Sequence, residues 1–168
     1  MSEILIFSDS HGNPDRVAEV LNRNGARHVF FLGDGLRDLA FAPTQGRCVY
    51  AVRGNCDWTG LDDTPDEGVE IIDGVRVFYT HGHKYGVKSG LGGAIVAAAN
   101  RGADVLLYGH THRAHEQTLP TGTPLANGKE LTKPLLILCP GALGDRTGSF
   151  ATLTIRGGVM LAGFGEIS

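Results

Sequence analysis

Apolar residues occur along this chain in short bursts, and most bursts stop at Asp, Asn or His beside a glycine. Residues 3–8 form the first burst, ending at Ser8-Asp9, and predict a buried strand. Asn13-Pro14 then reads as a helix N-cap followed by Pro at the first helical position. Val17, Val20 and Leu21 follow at helical spacing, and Asn24-Gly25 closes the helix. Val29 to Leu32 predicts a second strand, stopped by Gly33-Asp34-Gly35, and Cys48 to Val52 a third, stopped by Gly54-Asn55.

The pattern changes near residue 68. Val69–Ile72 and Val75–Thr80 flank Asp73-Gly74, a two-residue hairpin signal. A helix is predicted over Val87–Arg101, with Val87, Leu91, Ile95 and Ala98 on one stripe. Val105–Tyr108 and Leu135–Leu138 predict further strands, and Phe150–Ile155 pairs with Val159–Ala162 around Gly157-Gly158. Residues 119–130, with two prolines and Asn127-Gly128, predict a loop or hairpin tip. No repeat, low-complexity tract or linker interrupts the chain, so the expectation is a single α/β domain over residues 1–168.

Composition narrows the class. The chain is 42% hydrophobic and 20% charged, which is globular rather than disordered. A net charge of −3 argues against a dedicated polynucleotide or anionic-membrane binder. No apolar run approaches the ~20 residues of a membrane helix, and no basic stretch precedes an apolar core at the N-terminus. Cys48, Cys56 and Cys139 are odd in number and widely spaced, which fits a reducing cytoplasm and no disulfide framework.

The chemistry sits where the bursts stop. Asp9-Ser10-His11, Gly33-Asp34, Gly54-Asn55-Cys56-Asp57, Thr80-His81-Gly82-His83 and Gly109-His110-Thr111-His112 each follow a strand run. Carboxyl ends of strands converge on one edge of a sheet, where α/β proteins build sites. Asp9 and His11 are two apart, as are His110 and His112, so locally extended backbone would aim each pair the same way. Asp and His without a thiolate cluster suit divalent Mn, Fe, Ni, Co or Zn. One such segment is ordinarily a turn or a satisfied polar residue; five in one short chain are not.

In order, Asp-x-His, Gly-Asp, Gly-Asn, Thr-His-Gly and Gly-His-Thr-His resemble the calcineurin-like metallophosphoesterase superfamily. Gly-Asn-Cys-Asp and Thr-His-Gly-His resemble its small bacterial and archaeal phosphodiesterase branch. The resemblance runs from residue 4 to about residue 155. It implies a four-layer sandwich of two mixed β-sheets flanked by helices, and two divalent metal ions, manganese first. Asp9, His11, Asp34 and His112 would take one ion, and Asp34, Asn55, His81 and His110 the other, with Asp34 as the bridge. A metal-bridging hydroxide would attack phosphorus in line, on a small phosphoester. Asp34, Asn55, His81 and Cys56 would be the residues closest to the chemistry. A homodimer or tetramer is a further expectation from the resemblance alone.

One departure matters. Many superfamily members carry a histidine after the metal-binding Asn; here that place is Cys56, as in the branch resembled. A thiol is a poor proton donor beside imidazole at neutral pH, so good leaving groups such as aryl alcohols are favoured. Around this set, Asn13, Asp57 and His83 are candidates for substrate or supporting contacts. Trp58 reads as ordinary packing, Asp38 as an exposed short-helix carboxylate, and His28 and His115 as structural. Asp62, Asp63, Asp66 and Glu67 around Pro65 read as a solvated acidic loop. Residues 86–93 lack the phosphate-loop spacing and read as a helix entry. Two alternatives differ in class. A non-catalytic protein-binding scaffold on the same fold, as in a eukaryotic retromer subunit, would be favoured by loss of donor residues. An amidohydrolase-type metal hydrolase would carry His-x-His after its first strand, where this chain has Asp-x-His.

Overall fold

The structure, a computed structural model, describes residues 1–58 and 63–168; of the acidic stretch, Asp62 lies outside the described residues. Two mixed five-stranded sheets pack face to face. Sheet one is built from β1 (Ser2–Phe7), β2 (His28–Phe31), β3 (Cys48–Ala51), β9 (Gly148–Arg156) and β10 (Val159–Ile167), in the order β10-β9-β1-β2-β3. Sheet two contains β4 (Glu67–Ile72), β5 (Val75–Thr80), β6 (Val105–Leu107), β7 (Ala114–Leu119) and β8 (Leu135–Pro140), in the order β4-β5-β6-β8-β7. β1, β2 and β3 run parallel, as do β5, β6 and β8.

The side-chain period of two explains the layers. Ile4 and Ile6 of β1 and Phe30 of β2 pack between the sheets against Val77 and Leu107 of sheet two. Leu5 and Phe7 face the other way, onto α1 (Pro14–Arg23), with Val17, Val20 and Leu21. Phe78 and Leu106 face Ala94, Ala97 and Ala98 of α3 (Gly92–Asn100). The result is the expected sandwich of two sheets flanked by helices. In α1, Pro14 opens the helix and Asp15 and Arg23 complement its dipole, while Asn24 Nδ2 donates to the Val20 carbonyl at 2.8 Å at its end.

Several elements differ from the sequence expectation. Helix α3 starts at Gly92 rather than at Val87. His83–Tyr85 instead form one turn of 3₁₀ helix, and Gly82, Gly86 and Gly90 at φ +103°, +61° and +153° keep the segment irregular until Gly92. Val87 still packs in the helix-side core. Asn13 sits at the N-cap of α1, but its side chain donates to the Ser10 carbonyl at 2.7 Å and does not cap the helix. β10 runs five residues past Ala162, to Ile167. Residues 119–130 hold the expected turn, closed by a bridge between Pro124 and Glu130. Asp66 and Glu67 are not simply solvated: Asp66 pairs with Lys84, and Glu67 binds the Tyr85 hydroxyl at 2.8 Å and Arg101 at 2.6 Å.

Candidate metal centre

The parallel strands of the two sheets deliver their carboxyl ends to one place. β1 leads into Asp9 and His11, β2 into Asp34, the loop after β3 into Asn55, β5 into His81, and the loop after β6 into His110 and His112. Backbone hydrogen bonds knit these loops: Asp9 N–H to the Gly33 carbonyl at 2.9 Å, His11 N–H to the Asp34 carbonyl at 3.1 Å, Gly109 N–H to the His81 carbonyl at 3.0 Å.

The backbone here is not extended, contrary to the sequence reading. Asp9, His11, Asp34, His110 and His112 have φ of +55°, +45°, +61°, +71° and +61°. The hairpin residue Asp73 is the one other non-glycine with positive φ among the described residues. Left-handed backbone at non-glycine residues is uncommon and persists where surrounding contacts over-determine it. Its concentration at these five positions marks a built site. Gly109 allows a close approach, since a Cβ there would strike Ser8 Oγ and come within 2.9 Å of Asp9 Oδ2.

Each carboxylate commits one oxygen to the protein and turns the other inward. Asp9 Oδ2 accepts from the Ser8 hydroxyl and from the His110 N–H at 3.1 Å. Its Oδ1 lies 3.1 Å from His112 Nε2 and 3.4 Å from His11 Nε2. Asp34 Oδ1 accepts from the Cys56 N–H at 2.7 Å. Asp34 Oδ2 lies 3.2 Å from His81 Nε2 and 3.7 Å from His11 Nε2. His81 donates through Nδ1 to the Leu32 carbonyl at 2.6 Å, which leaves the Nε2 lone pair facing inward. That nitrogen meets Asn55 Oδ1 at 3.0 Å and His110 Nδ1 at 3.2 Å. His11 Nε2 faces His112 Nε2 at 3.2 Å.

Two donor groups emerge, Asp9-His11-His112 and Asp34-His81-His110, each with ligand atoms within 4.8 Å of one another. Metal–donor bonds of about 2.0–2.2 Å place neighbouring donors about 2.8–3.6 Å apart. The nitrogen and oxygen spacings above match that shell. Within each group, imidazole nitrogens and side-chain oxygens face one another, an arrangement that a divalent cation would satisfy. Their oxygen and nitrogen chemistry suits a divalent ion of the first transition row.

Electrostatics agree. Burial disfavours the Asp34 carboxylate, but hydrogen bonding and charge from His81, the Cys56 N–H and His11 outweigh it and lower its pKa to about 2. Burial opposes a charged His81, yet Asp34, Asp9 and the Leu32 carbonyl together raise its pKa. Burial, His81 and Lys88 lower that of His110. Asp34 and His81 thus favour each other's charged forms.

A family model described as the calcineurin-like phosphoesterase superfamily domain matches residues 2–158. The chain belongs to that superfamily. It is 31% identical to the probable metallophosphoesterase YsnB of Bacillus subtilis over 91% of this chain and 84% of that protein. It is 33% identical to phosphodiesterase YfcE of Escherichia coli K12 over 67% of this chain and 70% of that one. Among solved structures, a predicted phosphoesterase of Streptococcus pneumoniae superposes with a TM-score of 0.76 at 25% identity, covering 97% of this chain and 88% of its own. Vps29 of Entamoeba histolytica, complexed with zinc, shares the fold at a TM-score of 0.68 and 19% identity, over 98% of each chain.

Around the donors of this calcineurin-like chain, the supporting contacts are only partly those expected. Asp57 is a key brace: its carboxylate accepts from the backbone N–H groups of Asp34 at 2.7 Å, Gly35 at 2.9 Å, Leu36 at 3.0 Å and Gly54 at 2.9 Å. Asp38, on the short helix α2 (Leu36–Leu39), is not exposed. Only 7% of it is accessible, and its Oδ2 accepts from Ser10 Oγ at 2.6 Å, Gly12 N–H at 2.9 Å and Asn13 N–H at 3.1 Å. It therefore holds the loop that carries His11, and Asn13 belongs to that loop's bracing. His83 stacks obliquely beside His81, ring centroids 5.3 Å apart, and its buried Nδ1 has no hydrogen-bond partner. Trp58 is not packed: it is 76% exposed. His28 meets the Tyr50 hydroxyl at 3.1 Å, and His115 meets Gln117 at 3.2 Å, outside the cluster.

Asp145 was not singled out from sequence. Its Oδ1 lies 3.3 Å from His112 Nδ1. Arg16 fixes its loop by donating to the Leu143, Asp145 and Arg146 carbonyls. The available signal was another Gly-Asp pair, Gly144-Asp145, in the loop that follows a strand.

Cys56 is exposed, and Asn55 Nδ2 points at its sulfur at 3.5 Å. Burial and the charges of Asp34, Asp57 and Asp9 raise the pKa of its thiol. Its Sγ also approaches His11 and Asp34 within 4.8 Å.

Proposed function

We propose that this chain is a two-metal phosphodiesterase acting on small phosphoesters. The observation that supports this best is the placement of Asp34 Oδ2 between His81 Nε2 and His11 Nε2, one from each donor group. A single carboxylate oxygen shared by two groups is the arrangement a metal pair requires. Asp9, His11, Asp34 and His112 would hold one ion. Asp34, Asn55, His81 and His110 would hold the other. Manganese is the first candidate, and nickel, iron, cobalt and zinc share the same donor preferences. Bound there, the ions supply Lewis acidity toward phosphoryl oxygens and lower the pKa of a coordinated water.

The chain's own residues then do the following. Asp9 and Asp34 contribute two negative charges, and Asn55 contributes a neutral oxygen. The loaded site stays net positive and attracts a phosphoester anion. Asp57 and the Leu32 carbonyl hold Asp34 and His81 in place before substrate arrives, which removes reorganisation from the reaction. By its place directly after Asn55, Cys56 would stand near the departing alcohol. A thiol is a weaker proton donor than imidazole at neutral pH, which favours aryl over alkyl diesters.

The binding-scaffold alternative keeps the fold and needs no donors, and the complete donor set supports the enzyme. Chelated protein reconstituted with manganese is expected to hydrolyse bis(p-nitrophenyl) phosphate. No turnover with any of the five metals would remove the proposal.

A further inference from the structure

The donor cluster does not stand on a flat surface. It opens on one side into a cavity of about 510 Å³, within the range that holds small organic ligands. His11 and Asp34 of the donor cluster line it together with Leu36, Arg37, Ala40 and Trp58. Cys56, on the proposed leaving-group side, also faces it.

Trp58 is the single tryptophan of the chain, and 76% of it is exposed. What matters is where that ring stands: Trp58 lines the cavity beside the donor cluster, and an aromatic face there can meet a planar ligand. The backbone at Trp58 is anchored. The guanidinium of Arg53, itself only 7% accessible, donates to the Trp58 carbonyl. One residue earlier, the Asp57 carboxylate ties the same turn to four backbone N–H groups of the Asp34 and Gly54 loops. The indole is therefore an exposed π-face on a fixed base, linked through one turn to the metal-facing Asp34. Arg37 adds a cation to the lining, suited to a second phosphate or to the face of a bound ring.

We infer that this cavity is a base-binding subsite: the alcohol side of the substrate is a nucleotide-like group whose planar ring stacks on Trp58 while its phosphate reaches the donor cluster. A glycerol or other aliphatic headgroup has no π-face to stack and would gain only apolar contact from the indole. Stacking between a base and an aromatic side chain is sequence-tolerant and strong enough to control affinity. The inference rests on the phosphodiesterase reading for what happens to the phosphate, and on the cavity alone for what binds.

Because Trp58 is the sole tryptophan, its emission reports on this site and no other. In manganese-loaded protein, adenosine monophosphate is expected to quench Trp58 saturably. Inorganic phosphate and ribose 5-phosphate should displace the nucleotide without quenching by themselves. Trp58→Ala should raise KM for bis(p-nitrophenyl) phosphate about tenfold or more, leave inhibition by inorganic phosphate unchanged, and be rescued by Trp58→Phe. Absence of quenching by the nucleotide, or equal weakening of aryl diester and inorganic phosphate in Trp58→Ala, would overturn the subsite. Saturable quenching in a wild-type protein that turns over no phosphoester would keep the subsite and remove the phosphodiesterase reading instead.

Discussion

His112 is held between two carboxylates, with Nδ1 3.3 Å from Asp145 Oδ1 and Nε2 3.1 Å from Asp9 Oδ1. The outer contact places a carboxylate behind Nδ1, on the side of the ring away from the donor cluster. Carboxylates behind metal-binding histidines orient the ring and raise its basicity.

Asp145→Asn is therefore expected to weaken metal binding about 10- to 100-fold. Asp145 is 49% exposed on its side chain, so the melting temperature of the metal-free protein should not move. Competition against a chromogenic chelator measures the first, and thermal unfolding in chelator the second. Unchanged metal affinity would show that Asp145 is a bystander.

Asp38 gathers three donors from the loop bearing His11 in a buried position. Asp38→Ala leaves the Ser10, Gly12 and Asn13 donors without that acceptor and should cost about 1–3 kcal/mol or more of stability. Chemical denaturation reads this directly. A loss within the scatter of a surface substitution, about 0.5 kcal/mol, would mean that water replaces the carboxylate.

The Asp34–His81 pair gives the metal-free protein a defined pH dependence. The Asp34 carboxyl falls from 3.8 to about 2 on folding, so its contribution is complete above 3.8 and is lost as pH falls through about 2. The pKa of His81 is raised from 6.5, so its contribution is complete below 6.5 and is lost as pH rises through the higher folded value. The two overlap fully between 3.8 and 6.5. Melting temperature in chelator, wild type minus His81→Gln, should be largest in that window and shrink on both sides. A difference independent of pH would contradict the pairing.

Cys56→His would place an imidazole where the thiol now stands. It should increase turnover of alkyl diesters relative to aryl diesters, because a competent proton donor matters most for poor leaving groups. Steady-state rates on a matched ester pair test this, and an unchanged ratio would remove Cys56 from the leaving-group account.

Much of the site was legible because each donor stands where an apolar strand run stops. β1, β2 and β5 were visible in this way, and with them Asp9, Asp34 and His81. The path of the backbone between donors was not legible. Asp9-Ser10-His11 reads as extended, but hydrogen bonds from Asp9 to Gly33 and from His11 to Asp34 twist both donors into the left-handed region. Those partners lie more than twenty residues away, so no local pattern encodes them. Asp38 and Asp145 escaped for the same reason, since an acidic residue on a short helix or loop looks identical whether it braces a remote loop or faces water. The start of α3 was obscured differently: the stripe from Val87 continues the apolar period, but the left-handed glycines at 86 and 90 delay the helix to Gly92.

The central claim is a pair of metal ions sharing Asp34, and metal stoichiometry tests it most directly. Protein stripped by chelator, reloaded with manganese and freed of excess should retain two equivalents per chain by elemental analysis. Asp34→Asn should retain fewer than two while remaining folded by circular dichroism. One equivalent or none in the wild type, or two in Asp34→Asn, would contradict the account.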